Sequence, residues 1–241
     1  MGGPVTSAWR RVTGGATGRW SFWKFNWLAH HKLIRALERG RVHARGELLD
    51  VGCGAMPFAG LFDGRVTRYW GTDLHGSPDL GDARLDAYSR AQALPFRDGA
   101  FDTVLALAMF TYVPEPQEML REVRRVLRPG GVVLLECLQM GPLYPLHLDY
   151  YRFTRHGADH QLRAAGLEPV EFIPIGGLWA RVGLSLITPL NRINRGPTRV
   201  LTELPVRALY VGIQLACEAL DRIFHDPGEV LSHLVVARRS S

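Results

Sequence analysis

Cysteine is scarce: Cys53, Cys137 and Cys217 are the only three in 241 residues. Too few and too scattered for a disulfide framework or a zinc site, and odd in number, they fit a reducing compartment, with the cytoplasm as the expectation. Long apolar runs are missing too. Val182–Asn191 and Ala208–Cys217 run only ten residues each without a charge, well short of the roughly 18 that a membrane-crossing helix needs. Internal repeats and low-complexity tracts are absent, which leaves no case for a solenoid or a disordered linker. Acids are almost missing from one end: residues 1–45 hold Glu38 alone against nine Lys or Arg, a local balance of +8, whereas the other 196 residues carry 20 bases and 22 acids. The net charge of +6 and the pI near 9.6 therefore belong to the N-terminal segment and not to the body of the chain. Arg10-Arg11 is followed by a Gly-rich stretch and no apolar core, so it is not a twin-arginine signal and the segment is read as mature protein.

What is present is the composition of one globular domain with a small appendage, 46% apolar and 22% charged, at a length an α/β domain reaches without disulfides or metals. Four of the six tryptophans, Trp9, Trp20, Trp23 and Trp27, fall in the cationic first 45 residues. That leaves nucleic acid, a membrane surface and an acidic ligand all open. From residue 46 short apolar runs alternate with amphipathic segments, the pattern of a parallel sheet flanked by helices. Strands are expected at Glu47–Gly52, Arg68–Thr72, Phe101–Ala108 and Val132–Leu138. Met119, Leu120, Val123, Val126 and Leu127 recur at helical spacing behind Pro116, and Pro129-Gly130-Gly131 ends that helix. Thr154 is placed to cap a helix closing at Gly166, with Glu168–Pro174 and Leu231–Ala237 as the last two strands. Gly176–Gly228 between them carries two amphipathic helical stretches, near Leu178–Asn194 and Val206–His225, and is too long for a loop. The expected organisation is a basic aromatic segment or lid at 1–45, a core at 46–175, a helical insertion or cap at 176–228, and the last strand with the C-terminus at 229–241.

Leu48–Phe58, L-L-D-V-G-C-G-A-M-P-F, is the most informative segment. A strand that delivers Asp50 and then two glycines into a tight turn brings bare backbone against a ligand, and a helix after it presents its N-terminal amides. A dinucleotide suits this turn poorly. Pro57 stands where the third glycine of G-x-G-x-x-G is needed, and Asp50 sets a negative charge beside a pyrophosphate. A cofactor carrying an ammonium and a sulfonium reverses that sign argument. Asp73, 21 residues after Gly52 and at the expected end of the second strand, can accept both hydroxyls of a ribose.

Leu94-Pro95-Phe96-Arg97-Asp98-Gly99-Ala100-Phe101-Asp102, Val113-Pro114-Glu115-Pro116 and Arg125-Val126-Leu127-Arg128-Pro129-Gly130-Gly131 follow in order. With D-V-G-C-G they resemble the class I S-adenosylmethionine-dependent methyltransferases, specifically the type 11-like small-molecule group. His147–Thr154, H-L-D-Y-Y-R-F-T, followed by Ala164-Ala165-Gly166-Leu167, is similar to the D-Y-W-R-F-T then A-G-F pattern of a subset of bacterial methyltransferases. The resemblance covers about 46–174 and 229–238. It implies an α/β, Rossmann-like seven-stranded sheet in the order 3-2-1-4-5-7-6, strand 7 antiparallel, with helices on both faces. It also implies S-adenosylmethionine as cofactor, lined by Asp50, Gly52, Cys53, Gly54, Asp73, Leu74, Asp86, Ala91, Gln92 and Ala108, with Asp73 on the ribose. Met109, Tyr112, Tyr150, Tyr151 and Arg152 would contact the acceptor. Two positions depart from the pattern. Arg90 stands where an acid often reaches the adenine, with Asp86 as the substitute, and the frequent Glu-His pair after the fourth strand is Thr111-Tyr112.

The implied reaction is methyl transfer to a small-molecule or lipid- or glycan-linked acceptor by in-line displacement, in which the protein orients the reactants and excludes water. No metal is implied. For a hydroxyl acceptor, His147 or Asp149 is the candidate general base; Asp149, Tyr151 and Arg152 can equally form an internal lock. His30-His31 is read as surface. The alternatives are a non-catalytic binding or scaffold protein of the same fold, a nicotinamide-dependent oxidoreductase, and a peripheral membrane enzyme methylating a lipid carrier. A nucleic-acid partner is not expected, because no recognised module accompanies the basic segment; a homodimer is left open. His147→Ala is expected to lower turnover and leave cofactor affinity unchanged, read by rate assay and calorimetry; full activity would remove it as a base.

Overall fold

The computed structural model describes residues 23–81, 83–141, 148–193, 199–224, 226 and 228–240. The elements are α1 (Trp27–Gly40), β1 (Gly46–Val51), β2 (Val66–Asp73), β3 (Ala87–Tyr88), β4 (Phe101–Ala106), α2 (Pro116–Val126), β5 (Leu127–Leu138), α3 (Arg155–Ala164), β6 (Leu167–Ile175), α4 (Leu178–Ile193), α5 (Arg199–Ile223) and β7 (Ser232–Arg239). The strands form one seven-stranded sheet in the order β3-β2-β1-β4-β5-β7-β6. β1 to β5 pair in parallel, and β7 runs antiparallel to β5. The expected fold is therefore the observed one. The chain divides into two compact units: Ala36–Ile173 with Ser232–Ser241, and residues 1–35 with Pro174–Leu231.

In the sheet unit, alternate strand residues face opposite ways and both sets are buried, as a sheet covered on two sides requires. Leu49, Val51, Val104, Ala106, Val133, Leu135, Val235 and Ala237 join Met119, Leu120 and Val123 of α2 and Ala158 and Leu162 of α3 in one core. On the other face Leu134 and Leu234 pack against the end of α1 at Gly40. Local chemistry starts α2 and α3 and ends α3 where expected, whereas α2 stops at Val126, ahead of Pro129-Gly130-Gly131, which lie inside β5. Pro116 sits in the first turn of α2, the Thr154 hydroxyl accepts from the Gly157 amide at 3.1 Å, and Gly166 closes α3 at φ +73.

Two expectations are corrected. No α-helix follows the glycine turn; a single 3-10 turn, Ala59–Leu61, stands there. Pro57 has no amide to donate and Met56 lies at φ +51, so a helix cannot propagate through the pair. β5 begins at Leu127, not at Val132, because Leu127 pairs with Phe101 and a register shift before Thr103 absorbs the Pro-Gly-Gly step.

The motifs behind the resemblance turn out to be a clasp. Arg125 on α2 donates to the carbonyls of Leu94 (2.9 Å) and Phe96 (2.7 Å), and pairs with Asp98 and Glu122. It ties the Leu94–Asp98 loop to the helix that leads into β5. Arg128 pairs with Asp102, whose carboxylate also accepts from the Glu47 amide at 2.9 Å.

In the helical unit, α5 supplies the polar side chains that satisfy the ends of its neighbours. Gln214 accepts from the Leu28 amide at 3.0 Å and donates to the Lys24 carbonyl, at the start of α1. Asp221 accepts from the amides of Trp179 (2.9 Å) and Ala180 (3.3 Å), in the first turn of α4. Lys32 lies 2.7 Å from Glu218 and 3.2 Å from Asp221, so both buried acids have a counter-charge. His31 stacks on Trp27 at 4.9 Å. Arg125→Ala is expected to cost about 1–3 kcal/mol, because two carbonyls and two carboxylates lose their donor together; urea unfolding checks this, and an unchanged midpoint would contradict the clasp.

Candidate active site

β1, β2, β4 and β5 end along one edge of the sheet, and β7 begins there, since Asp50 pairs with Leu105, Val51 with Thr72, Ala106 with Leu135 and Leu138 with Ser232. This carboxyl edge is where open α/β sheets bind ligands. Asp50 is buried at the end of β1. Burial pushes its carboxyl up to about 7, opposed by the Tyr69 hydroxyl, which donates to it at 2.5 Å, and reinforced by the nearby charge of Asp73.

The turn that follows needs glycine for two reasons. Gly52 lies at φ +71 and Gly54 at φ +50, and side chains would collide: a Cβ on Gly52 would be 2.1 Å from Met109 Sδ, and one on Gly54 would be 3.2 Å from the Asp79 carbonyl. Bare backbone thus lets the loops after β4 and β2 close on the turn. Asp73 fixes it, accepting from the Gly54 amide at 2.8 Å and from the Leu74 amide at 2.6 Å. Cys53 is buried in the same turn, and burial, helped by Asp50 and Asp73, pushes its thiol up to about 12. It is no nucleophile at neutral pH.

The loop after β4 opens with Ala108 at φ +57, a conformation that costs a residue with a side chain of order 1 kcal/mol or more and is typical of functional turns. The buried Glu136 holds it, accepting from the Ala108 amide and from the Ser232 hydroxyl at 2.8 Å; burial raises this carboxyl above its usual range. Thr111 Oγ1 in the same loop is buried without a hydrogen-bond partner, and Tyr112 folds back to the Met109 carbonyl. The Thr111 carbonyl accepts from the amides of Tyr150 (3.1 Å) and Tyr151 (3.4 Å), and the Tyr151 hydroxyl donates to the Pro114 carbonyl at 2.9 Å. Phe110 stacks on Phe153 at 4.1 Å. The Asp-Tyr-Tyr-Arg-Phe segment is thereby docked on the loop after β4. Arg152 grips both oxygens of Asp149, one at 2.7 Å, and the Asp149 side chain is only 1% exposed. Gly141 and residues 149–152 line an open hollow of about 230 Å³.

Asp50, Gly52, Cys53, Gly54, Asp73, Leu74 and Met109 thus come together around the turn; Ala108 and Tyr112 lie in the loop after β4, on which Tyr150 and Tyr151 dock. The other three expected cofactor residues have protein partners or core positions. Asp86 accepts from the Gly71 amide at 2.9 Å and pairs with Arg68, against the flank of β2. Ala91 is buried in the core beneath α2, and Gln92 donates to Glu115 just before α2. His147 lies outside the described residues.

Residues 49–135 match the family described as a methyltransferase domain. That stretch of the chain is similar to a methyltransferase domain. An uncharacterized methyltransferase of Mycobacterium leprae is 33% identical over 129 residues, which cover 49% of this chain and 48% of that protein. The chain spans about half the length of the relatives it matches. The fold also resembles that of the cyclase SpnF, with a TM-score of 0.55 and 20% identity over 87% of this chain and 82% of that one. It resembles Haemonchus contortus phosphoethanolamine N-methyltransferase 2, solved with phosphomonomethylethanolamine and S-adenosylhomocysteine, with a TM-score of 0.54 and 17% identity over 91% of this chain and 57% of that one. At these identities the likeness is one of fold alone.

Sequence reasoning passed over Tyr69 and Glu136, and met Thr111 only as a departure from the Glu-His pair. Glu136 had a visible signal, a single acid inside the apolar run Val132–Leu138; Tyr69 had none. Gly52→Ala is expected to cost about 1–3 kcal/mol in urea unfolding, with Met109→Ala in the same chain recovering only the steric part, since φ stays positive. Undiminished stability would contradict the account of the turn.

Proposed function

We propose that this chain transfers a methyl group from S-adenosylmethionine to a hydroxyl of a small-molecule, glycan-linked or lipid-linked acceptor. The observation that carries the reading is the convergence of two buried carboxylates, Asp50 and Asp73, on the glycine turn of the stretch similar to a methyltransferase domain. Such a turn suits a cationic ligand and repels a pyrophosphate. The buried, unpartnered Thr111 hydroxyl supports a ligand at the same edge. When bound, S-adenosylmethionine supplies an electrophilic methyl group on a positively charged sulfur.

The chain's own residues orient and shield. Asp50 offers its carboxylate to the ammonium end. Asp73 spends one lone pair on each of two loop amides, and a carboxylate oxygen has room for a second donor, so it can hold the ribose hydroxyls without releasing the turn. Tyr150, Tyr151 and Arg152 border the hollow where the acceptor would lie. Asp149, gripped at both oxygens by the Arg152 guanidinium, serves to lock the segment. His147 is then left as the group to take a hydroxyl proton.

Because Asp50 is protonated below about 7, a cationic ligand must drive its proton off at lower pH. Affinity for S-adenosylmethionine is therefore expected to rise with pH up to about 7 and level off above it, with proton release on binding below that point. Calorimetry across pH reads both, and Asp50→Asn removes them. Asp73→Ala is expected to weaken binding about tenfold or more at every pH. Transfer of a labelled methyl group to hydroxylated metabolites tests the reaction; folded protein that binds no S-adenosylmethionine at any pH would sink it in favour of a non-catalytic role.

A further inference from the structure

Helix α5 faces the wrong way for a helix in water. Three of its polar side chains, Gln214, Glu218 and Asp221, are buried beside Tyr210 and Cys217, while Arg207 and Arg222 are partly exposed and pair with Glu203 and Glu218. From residue 204 to 219 its outward side is apolar. Every exposed position from 204 to 219 is Leu, Ala, Gly or Pro. Leu204 is 81% exposed, Leu209 47% and Leu215 53%, and Ile223 continues the row at 69% with the exposed Arg222 beside it. At 3.6 residues per turn the exposed positions from 204 to 223 fall in one strip about 140° wide. A strip of this kind marks a contact with something other than water.

Charge identifies the occupant. In the sequence, residues 1–35 and 174–231 carry twelve Lys or Arg against five acids, while the rest of the chain carries 17 against 18. Two of those five acids, Glu218 and Asp221, are buried against Lys32 and do not face outward. A second copy would bring the same positive charge to the contact; an anionic headgroup layer brings the opposite one. Among the described residues no helix is long and apolar enough to cross a membrane, so the contact is one that lies on the surface.

We propose that the outward face of α5 seats this protein on an anionic phospholipid bilayer, with Leu209 and Leu215 entering the headgroup–acyl boundary and the cations of those two segments drawn to lipid phosphate. The inference stands apart from the methyl-transfer reading, because its test needs no cofactor and no acceptor.

The full chain is floated with vesicles of phosphatidylcholine alone or with phosphatidylglycerol, at low and high salt. Wild type is expected to float with the anionic vesicles at low salt, less at high salt, and not with phosphatidylcholine alone. Leu209→Glu with Leu215→Glu is expected to lower that partition about tenfold or more with unchanged melting; Leu209→Ser with Leu215→Ser is the second variant should the first misfold. Wild type that stays unbound, or a folded variant that floats as wild type does, overturns the proposal. So does a wild-type dimer in sedimentation that the variant converts to monomer, which would assign the face to a second copy.

Discussion

One carboxylate joins the ends of two strands. Asp73, the last residue of β2, accepts from the amide of Gly54 in the turn after β1 and from its neighbour Leu74. The turn it fixes has no helix behind it, only a 3-10 turn at Ala59–Leu61, so a side chain does the holding that backbone propagation does elsewhere. The other features of the edge depend on that anchored turn. Met109 packs on Gly52, which brings the loop after β4 down onto β1, and the Thr111 carbonyl then receives the two tyrosine amides of the following segment. A fixed turn also keeps Asp50 close to Asp73, and proximity of the two charges adds to the burial that raises the Asp50 carboxyl.

Buried and half-buried acids recur through the molecule, each with a different reason to be there. Glu136 secures the positive-φ Ala108, Asp102 links β4 to Arg128 and to the start of β1, and Asp221 satisfies the first amides of α4. In each case the carboxylate accepts from donors that would otherwise be buried unpaired, and a missing acceptor costs more than a present one gains. The inverted polarity of α5 has the same origin. The helix turns Gln214, Glu218 and Asp221 inward because the amides at the starts of α1 and α4 are there, and its leucines are left outside.

The fold was legible because its signals are local. Buried strands show as short apolar runs, Pro116 and Thr154 mark helix starts, and Gly166 marks an end, each by the chemistry of one or two residues. The helix expected after the glycine turn failed for an equally local reason, since Pro57 and the left-handed Met56 stop it. The glycine turn of the candidate site was legible at Asp50, Gly52, Gly54 and Asp73, where charge and missing side chains sit in the turn itself. The partners of Asp86, the Gly71 amide and Arg68, were not legible, because an acid near a strand end looks the same in sequence whatever it faces.

What the sequence by itself determined is the set of strands, their caps and the acidic glycine turn, because these follow from propensity and spacing over a few residues. The tertiary structure alone decided which acids are spoken for. Asp149 reads as a candidate base until Arg152 is seen on both its oxygens, and Gln214, Glu218 and Asp221 read as an ordinary water-facing side of a helix until the amides and Lys32 are seen opposite them. Polarity in a sequence says that a group needs a partner. Only the packing of segments far apart in the chain says whether that partner is water, a ligand or the protein itself.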